Sequence, residues 1–170
     1  MNTAIKQNQA TNMQRSAGSD QYLTFILAGE EYGIDILKVQ EIRGWEPVTK
    51  IPNTPEHVLG VINLRGTVVP IIDLRKRFGL PGVEFTSTTV VVVVKVEHQK
   101  SERTIGMVVD AVSEVYNVSA ETMRETPDFG GAISTDYIKG LATIDEKMII
   151  LLDINLLVNI GVLAVTGTKD

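Results

Sequence analysis

The chain contains no cysteine. Disulfides, thiolate metal sites and cysteine nucleophiles are therefore excluded together. Histidine is scarce: His57 and His98 lie 41 residues apart without clustered ligands, unlike a metal site. The plain expectation puts His57 on a short helix and His98 in a Glu97–Arg103 turn. Aromatic residues make up only 5% of the chain, and Trp45 is the single tryptophan. Apolar runs stop at five residues, as at Val90–Val94, too short to span a bilayer as a helix. The polar stretch from Met1 to Asp20 has no apolar centre of the signal-peptide kind. A soluble, cytoplasmic protein with no direct membrane insertion is expected. Its net charge of −5 argues against an electrostatic nucleic-acid partner. Phosphate-loop, dinucleotide and Gly-x-Ser-x-Gly signatures are missing, and Gly60–Gly66 lacks the Lys-Thr of a phosphate loop.

What is abundant is β-branched. Valine, isoleucine and threonine account for 54 of 170 residues. Such side chains are stiff at χ1 and suit a pleated sheet. With 14 glycines and 6 prolines to make turns, the composition predicts an all-β protein. Residues 1–19 and 159–170 are weakly patterned and read as tails.

Between the tails the chain repeats itself. Gly60 to Leu74 matches Gly140 to Ile154 at an offset of 80, each with Gly first and Asp 13 residues on. Gly33–Ile42 matches Gly106–Val115 at an offset of 73, with Gly, Val and Glu in register. Thr54-Pro55 and Thr126-Pro127 form a weaker echo. Two copies follow, 20–84 and 85–158, each with roughly five short strands spaced as in small barrels. Thr54 is expected to cap a short helix with Pro55 at its first position and Gly60 past its end. Asp73 and Asp153 are placed to cap short helical turns at Leu74–Phe78 and Ile154–Val158. Asp35, Asp73, Asp110 and Asp153 could be proposed as paired acid–base carboxylates, but the equivalent places of Asp73 and Asp153 make structural caps the better reading of that pair. Residues 21–84 carry a net charge of −1 and residues 85–158 of −5, which suggests different partners for the two.

The copies differ where binding residues are expected. The turn Asn63-Leu64-Arg65-Gly66 stands opposite Thr143-Ile144-Asp145-Glu146. Arg65 projects from it, and its fork suits carboxylate or carbonyl acceptors, with a merely solvated arginine as the alternative. Val39 and Ile42 differ in parity, so strict alternation cannot bury both on one face. A bulge, an edge position or an apolar partner would resolve this. Trp45 reads as an interface anchor or as core.

These segments carry a resemblance. Glu31-Tyr32-Gly33-Ile34-Asp35-Ile36-Leu37-Lys38-Val39-Gln40-Glu41-Ile42-Arg43, then Ile62-Asn63-Leu64-Arg65-Gly66 and Val69-Pro70-Ile71-Ile72-Asp73-Leu74-Arg75, resemble the CheW-type chemotaxis coupling proteins across about 20–158. The resemblance implies two intertwined SH3-like five-stranded barrels with short helical turns, no enzyme activity and no cofactor or metal. It implies an adaptor between the cytoplasmic tip of methyl-accepting chemoreceptors and the regulatory domain of a CheA-type histidine kinase, in arrays beneath the inner membrane. The 170-residue length suits a free coupler without a fused kinase or receiver. A related chemosensory array, controlling twitching motility or a second messenger, is the alternative. By the same resemblance Val39, Glu41, Ile42, Gly60, Arg65 and Val115 are receptor-binding, while Arg124 and Phe129 are kinase-binding. An amphipathic receptor helix is expected in a groove lined by Val39, Ile42, Val115 and residues near Val90–Val92. A pocket between the barrels for a small molecule or an enzyme reaction is the rival class.

Overall fold

The computed structural model describes residues 20–127 and 136–158. Among the described residues eleven strands form two sheets, as the β-branched composition predicts. In chain order they are β1 (Gln21–Leu27), β2 (Glu30–Asp35), β3 (Val39–Gly44), β4 (Val58–Leu64), β5 (Thr67–Asp73), β6 (Val90–His98), β7 (Ser101–Val109), β8 (Ala111–Asn117), β9 (Met123–Arg124), β10 (Ile138–Ile144) and β11 (Lys147–Leu152). Among the described residues helical structure is confined to a 3₁₀ turn at Ile36–Lys38, α1 (Leu74–Arg77) and α2 (Ile154–Val158). No helix among the described residues is long and apolar enough to cross a membrane.

The tight hairpins share one chemistry. Ala28-Gly29, Arg65-Gly66, Gln99-Lys100 and Asp145-Glu146 all have positive φ at both turn residues. Such primed two-residue turns match the twist of the strands they join.

The sheets do not follow the halves of the sequence. One runs β8-β1-β2-β11-β10-β9, the other β3-β6-β7-β5-β4. Hairpin β1–β2 thus sits among strands of the second copy, and hairpin β6–β7 among strands of the first. The seams are parallel: Ile71 to Asp73 pair with Gly106 to Val108, and Ile149 to Leu151 with Glu31 to Gly33. The boundary at 84/85 therefore divides the repeats and not the sheets. This is the intertwining that the family resemblance implies.

The 80-residue offset holds in three dimensions. The Asp73 amide donates to the His57 carbonyl at 2.7 Å, and the Asp153 amide to the Tyr137 carbonyl at 2.8 Å. Asp73 Oδ1 accepts from the amides of Arg75 and Lys76, and Asp153 Oδ1 from that of Leu156, so both aspartates are caps as expected. Gly60 and Gly140 each follow a slip in the register of their hairpin. Each also faces backbone where a Cβ would go: Thr49 O lies 2.2 Å from that point at Gly60, and Arg124 O 2.9 Å at Gly140. Thr49 bridges to Val61 as the two-residue β9 pairs with β10.

One core lies between the sheets and one inside each sheet's own curl. Leu23, Phe25 and Leu27 of β1 meet Val92, Val94 and Val96 of β6 in the shared cluster. Val91 and Val93 turn the other way, toward Ile62, Leu64, Val69 and Ile71. Tyr22, Val118, Ala142, Ile149 and Leu151 fill the second curl. The valine run of β6 is buried on both faces, which is why it lacks alternation.

Two local expectations fail. Residues 54–57 form a turn and not a helix: the Thr54 hydroxyl donates to the Ile51 carbonyl instead of accepting an amide, and the Val58 amide closes on Pro55. His57 is in this turn, and Gly60 lies within β4. His98 ends β6 rather than sitting in the loop, because the turn shrinks to Gln99-Lys100.

Candidate functional site

The β4–β5 turn and strand β3 build a charged, partly apolar edge. Arg65 and Gly66 have φ of +50° and +89°. Glycine meets that demand without strain, while Asn63 Oδ1 accepts the Gly66 amide at 2.8 Å and locks the turn. The Arg65 side chain is held out at 64% exposure, yet it is not merely solvated: its Nη2 donates to Glu41 Oε1. Glu41 Oε2 accepts from Arg43 Nη1 at 3.2 Å, and Arg43 Nη2 donates to Glu46 Oε1 at 3.2 Å. Arg65, Glu41, Arg43 and Glu46 form one alternating chain of charge. The Arg65 hydrogen bond first, and the Arg43 bond next, hold the Glu41 carboxyl below the usual carboxylate range. Glu41 and Glu46 in turn raise Arg43. Arg43 and Glu46 were missed in the sequence, although Glu41 and Arg43 share a strand face at i, i+2.

Strand β3 resolves its own parity conflict in two ways. It is an edge strand, and its register against β6 slips between Val39 and Glu41. Val39 is half-buried against the shared core, while Ile42 stays 44% exposed. The same device recurs 73 residues on. Strand β8 is an edge of the other sheet, its pairing slips opposite Thr24, and Val115 is 47% exposed. Ile42 and Val115 are thus equivalent exposed apolar positions on edges of different sheets.

The remaining predicted residues fall elsewhere. Gly60 is buried, and its close approach to Thr49 gives it a backbone role. Val91 and Val92 are 3% and 0% exposed, so they do not line an open groove, because β6 is an interior strand with core on both faces. Trp45 is half-buried, with its ring edge-on to Phe85 at 4.5 Å. Arg124 lies exposed on β9 and donates to the Glu121 carbonyl at 2.8 Å. Phe129 lies outside the described residues.

The aspartates are structural. Asp35 Oδ1 accepts the Leu37 amide at 2.9 Å and caps the 3₁₀ turn. Asp110 takes both prongs of Arg75, at 2.8 Å each. Among the described residues no three His, Asp or Glu side chains are placed to hold a metal ion. A concavity of about 220 Å³ opens beside the 3₁₀ turn and α2, lined by Lys38, Glu97, Lys139 and Asn155 among others.

The CheW-like domain model matches residues 21–161. Chemotaxis protein CheW of Klebsiella aerogenes is 49% identical over 139 residues, covering 82% of this chain and 81% of that protein. Chemotaxis protein CheW of Bacillus subtilis is 31% identical over 137 residues, covering 80% and 85%. The crystal structure of the scaffolding protein TtCheW from Thermoanaerobacter tengcongensis superposes with a TM-score of 0.71 at 36% identity, over 81% of this chain and 90% of that one. Two exchanged β hairpins, paired helix caps and these likenesses agree, and the chain belongs to the CheW-like domain family.

Proposed function

We propose that this protein is a non-enzymatic coupling adaptor of a bacterial chemotaxis system. It holds the cytoplasmic tip of a chemoreceptor beside the regulatory domain of a CheA-type histidine kinase, in the cytoplasm at the inner face of the membrane. One observation carries the reading: on edge strand β3 Ile42 stands exposed on one face, while Glu41, the next residue, pairs with Arg65 on the other. An apolar side chain next to fixed, paired charge suits a helix that brings an apolar stripe and a polar flank. Exposed charge pairs contribute little affinity by themselves, so burial of Ile42 supplies the attraction and the charges set register. Val39 and Glu41 support this edge from within, Gly60 holds the neighbouring segment in place, and Val115 offers the equivalent apolar position on the other sheet. Arg124 and Phe129 are proposed for the kinase contact. The adaptor acts by position, with its aspartates committed to caps and an ion pair.

Pull-down against a receptor cytoplasmic fragment tests the reading. Arg65→Asp is expected to lose at least tenfold in binding while its melting temperature stays unchanged. Normal receptor binding by this variant would remove Arg65 from the contact. Phe129→Ser is expected to keep receptor binding and to impair assembly with the kinase.

A further inference from the structure

The two copies place opposite chemistry in equivalent positions. Glu41, Arg43 and Arg65 of the first setting correspond to Glu114, Tyr116 and Asp145 of the second, and Thr104 corresponds to Glu31. The registers agree: Thr104 pairs with Lys95 on β6, and Glu31 with Ile26 on β1. In the first setting the charges neutralise one another through Arg65 and Arg43. In the second, the three charged counterparts are all acidic.

Glu31 is the decisive member. It is 8% exposed, and its Oε2 is buried without a hydrogen-bond partner. It lies on β2 opposite Ile149, a member of the second curl's core, against which Tyr116 and Ile144 also pack. Burial, and then the charges of Glu114 and Glu31, raise the Tyr116 hydroxyl above the usual phenol range; Asp145 acts in the same direction. Glu31 thus shares the inner face of the second curl with Ile149 and with Tyr116, which packs on the same cluster, and the offsets of 73 and 80 put the exposed Glu114 and Asp145 at the positions that Glu41 and Arg65 hold in the first setting. Among the described residues no lysine or arginine forms an ion pair with Glu31, Glu114 or Asp145. A buried carboxylate without a partner is costly, and an incoming cation would relieve that cost.

We propose that the recess between β2, β8 and the Asp145-Glu146 turn accepts the guanidinium of an arginine carried on a protein partner. The carboxylates are too dispersed to form a metal cluster, whereas a planar fork reaches separated acceptors and stacks on a tyrosine ring. This chain shows such an occupant: Arg65, on the equivalent turn, does for Glu41 what the partner's arginine does for Glu114 and Glu31. The recess uses none of the residues assigned to the receptor or kinase contacts, so it stands or falls apart from the adaptor reading.

The full chain, labelled with ¹⁵N, is titrated with N-acetyl-arginine methylamide at low salt and, in parallel, with the uncharged citrulline analogue. Saturable amide shifts are expected at Glu31, Glu114, Tyr116 and Asp145, at least tenfold weaker with the citrulline analogue and lost in folded Glu31→Gln. Non-saturating shifts spread over the acidic surface, or shifts that survive Glu31→Gln, overturn the proposal. A second variant supplies the cation from within. Asp145 has φ of +52°, close to the +50° of Arg65, so Asp145→Arg places a guanidinium where the first copy has one. Its melting temperature is expected to rise and its response to the arginine probe to vanish. A lower melting temperature, or retained probe binding, overturns the assignment.

Discussion

Arg75 and Asp110 form a two-pronged ion pair, Nε to Oδ1 and Nη2 to Oδ2, both at 2.8 Å. Arg75 belongs to α1 of the first copy, while Asp110 sits where the second copy passes from β7 to β8. The clamp therefore fastens the crossover that sends β8 into the other sheet. Asp110 also accepts the Ala28 amide at 2.9 Å, and Arg75 also reaches the Pro81 carbonyl at 2.7 Å. The side chains are 13% and 26% exposed, so solvent screens the pair only in part.

Arg75→Ala is expected to lower stability by about 1–2 kcal/mol, as read by urea unfolding, because it leaves the Asp110 charge without its main partner. The Arg75 hydrogen bond, opposed by burial and helped by the Ala28 amide, holds the Asp110 carboxyl below the usual range. A carboxyl with a folded pKa below its unfolded value stabilises the fold above the unfolded pKa, near ~3.9, and stops doing so as pH falls toward the folded value. The advantage of the native chain over Asp110→Asn is expected in full at neutral pH and to shrink below about pH 4. A difference that is constant down to strongly acid pH would show that the ion pair contributes nothing through its charge.

Gly60→Ala places a methyl 2.2 Å from the Thr49 carbonyl oxygen. The backbone must move, at a cost of at least about 2 kcal/mol, and the Thr49–Val61 bridge is expected to lose hydrogen-exchange protection. Gly66→Ala has open space around it and strains only its φ of +89°, so about 1 kcal/mol is expected. Equal losses for the two would contradict the assigned reasons.

Asp73→Ala and Asp153→Ala each remove a helix cap. Each is expected to lower stability by about 1 kcal/mol in thermal unfolding. The helices are a single turn, so the effect should appear as local fraying at α1 and α2 and not as loss of the sheets.

Ile42→Asp and Val115→Asp change exposed positions, so melting temperatures should stay within the equivalent of about 0.5 kcal/mol of the native chain. Both should weaken binding of a receptor fragment in a direct titration. A Val115→Asp protein with unchanged affinity would confine the contact to β3 and its neighbouring turn.

Much of the site was legible because its signals are local. The Asn63-to-Gly66 turn, the exposed Arg65 and the irregular β3 all follow from short-range residue chemistry. The partner of Arg65 was not legible, since Glu41 lies 24 residues away and reaches it only once β3 and β4 edge the same sheet. The expected Thr54 helix failed for the opposite reason: a capping residue and a proline also make a tight turn, and the strand that begins at Val58 leaves no room for helix.

The order of residues alone determined that this is a duplicated β protein with two aspartate caps and a turn arginine present in one copy only. Tertiary structure alone decided which hairpins the two sheets exchange, that Arg75 clasps Asp110, and that Glu31 is buried beside Ile149. Periodicity and turn chemistry act between near neighbours, whereas strand partners and ion pairs are chosen among distant segments by which arrangement buries the most apolar surface and satisfies the most backbone groups.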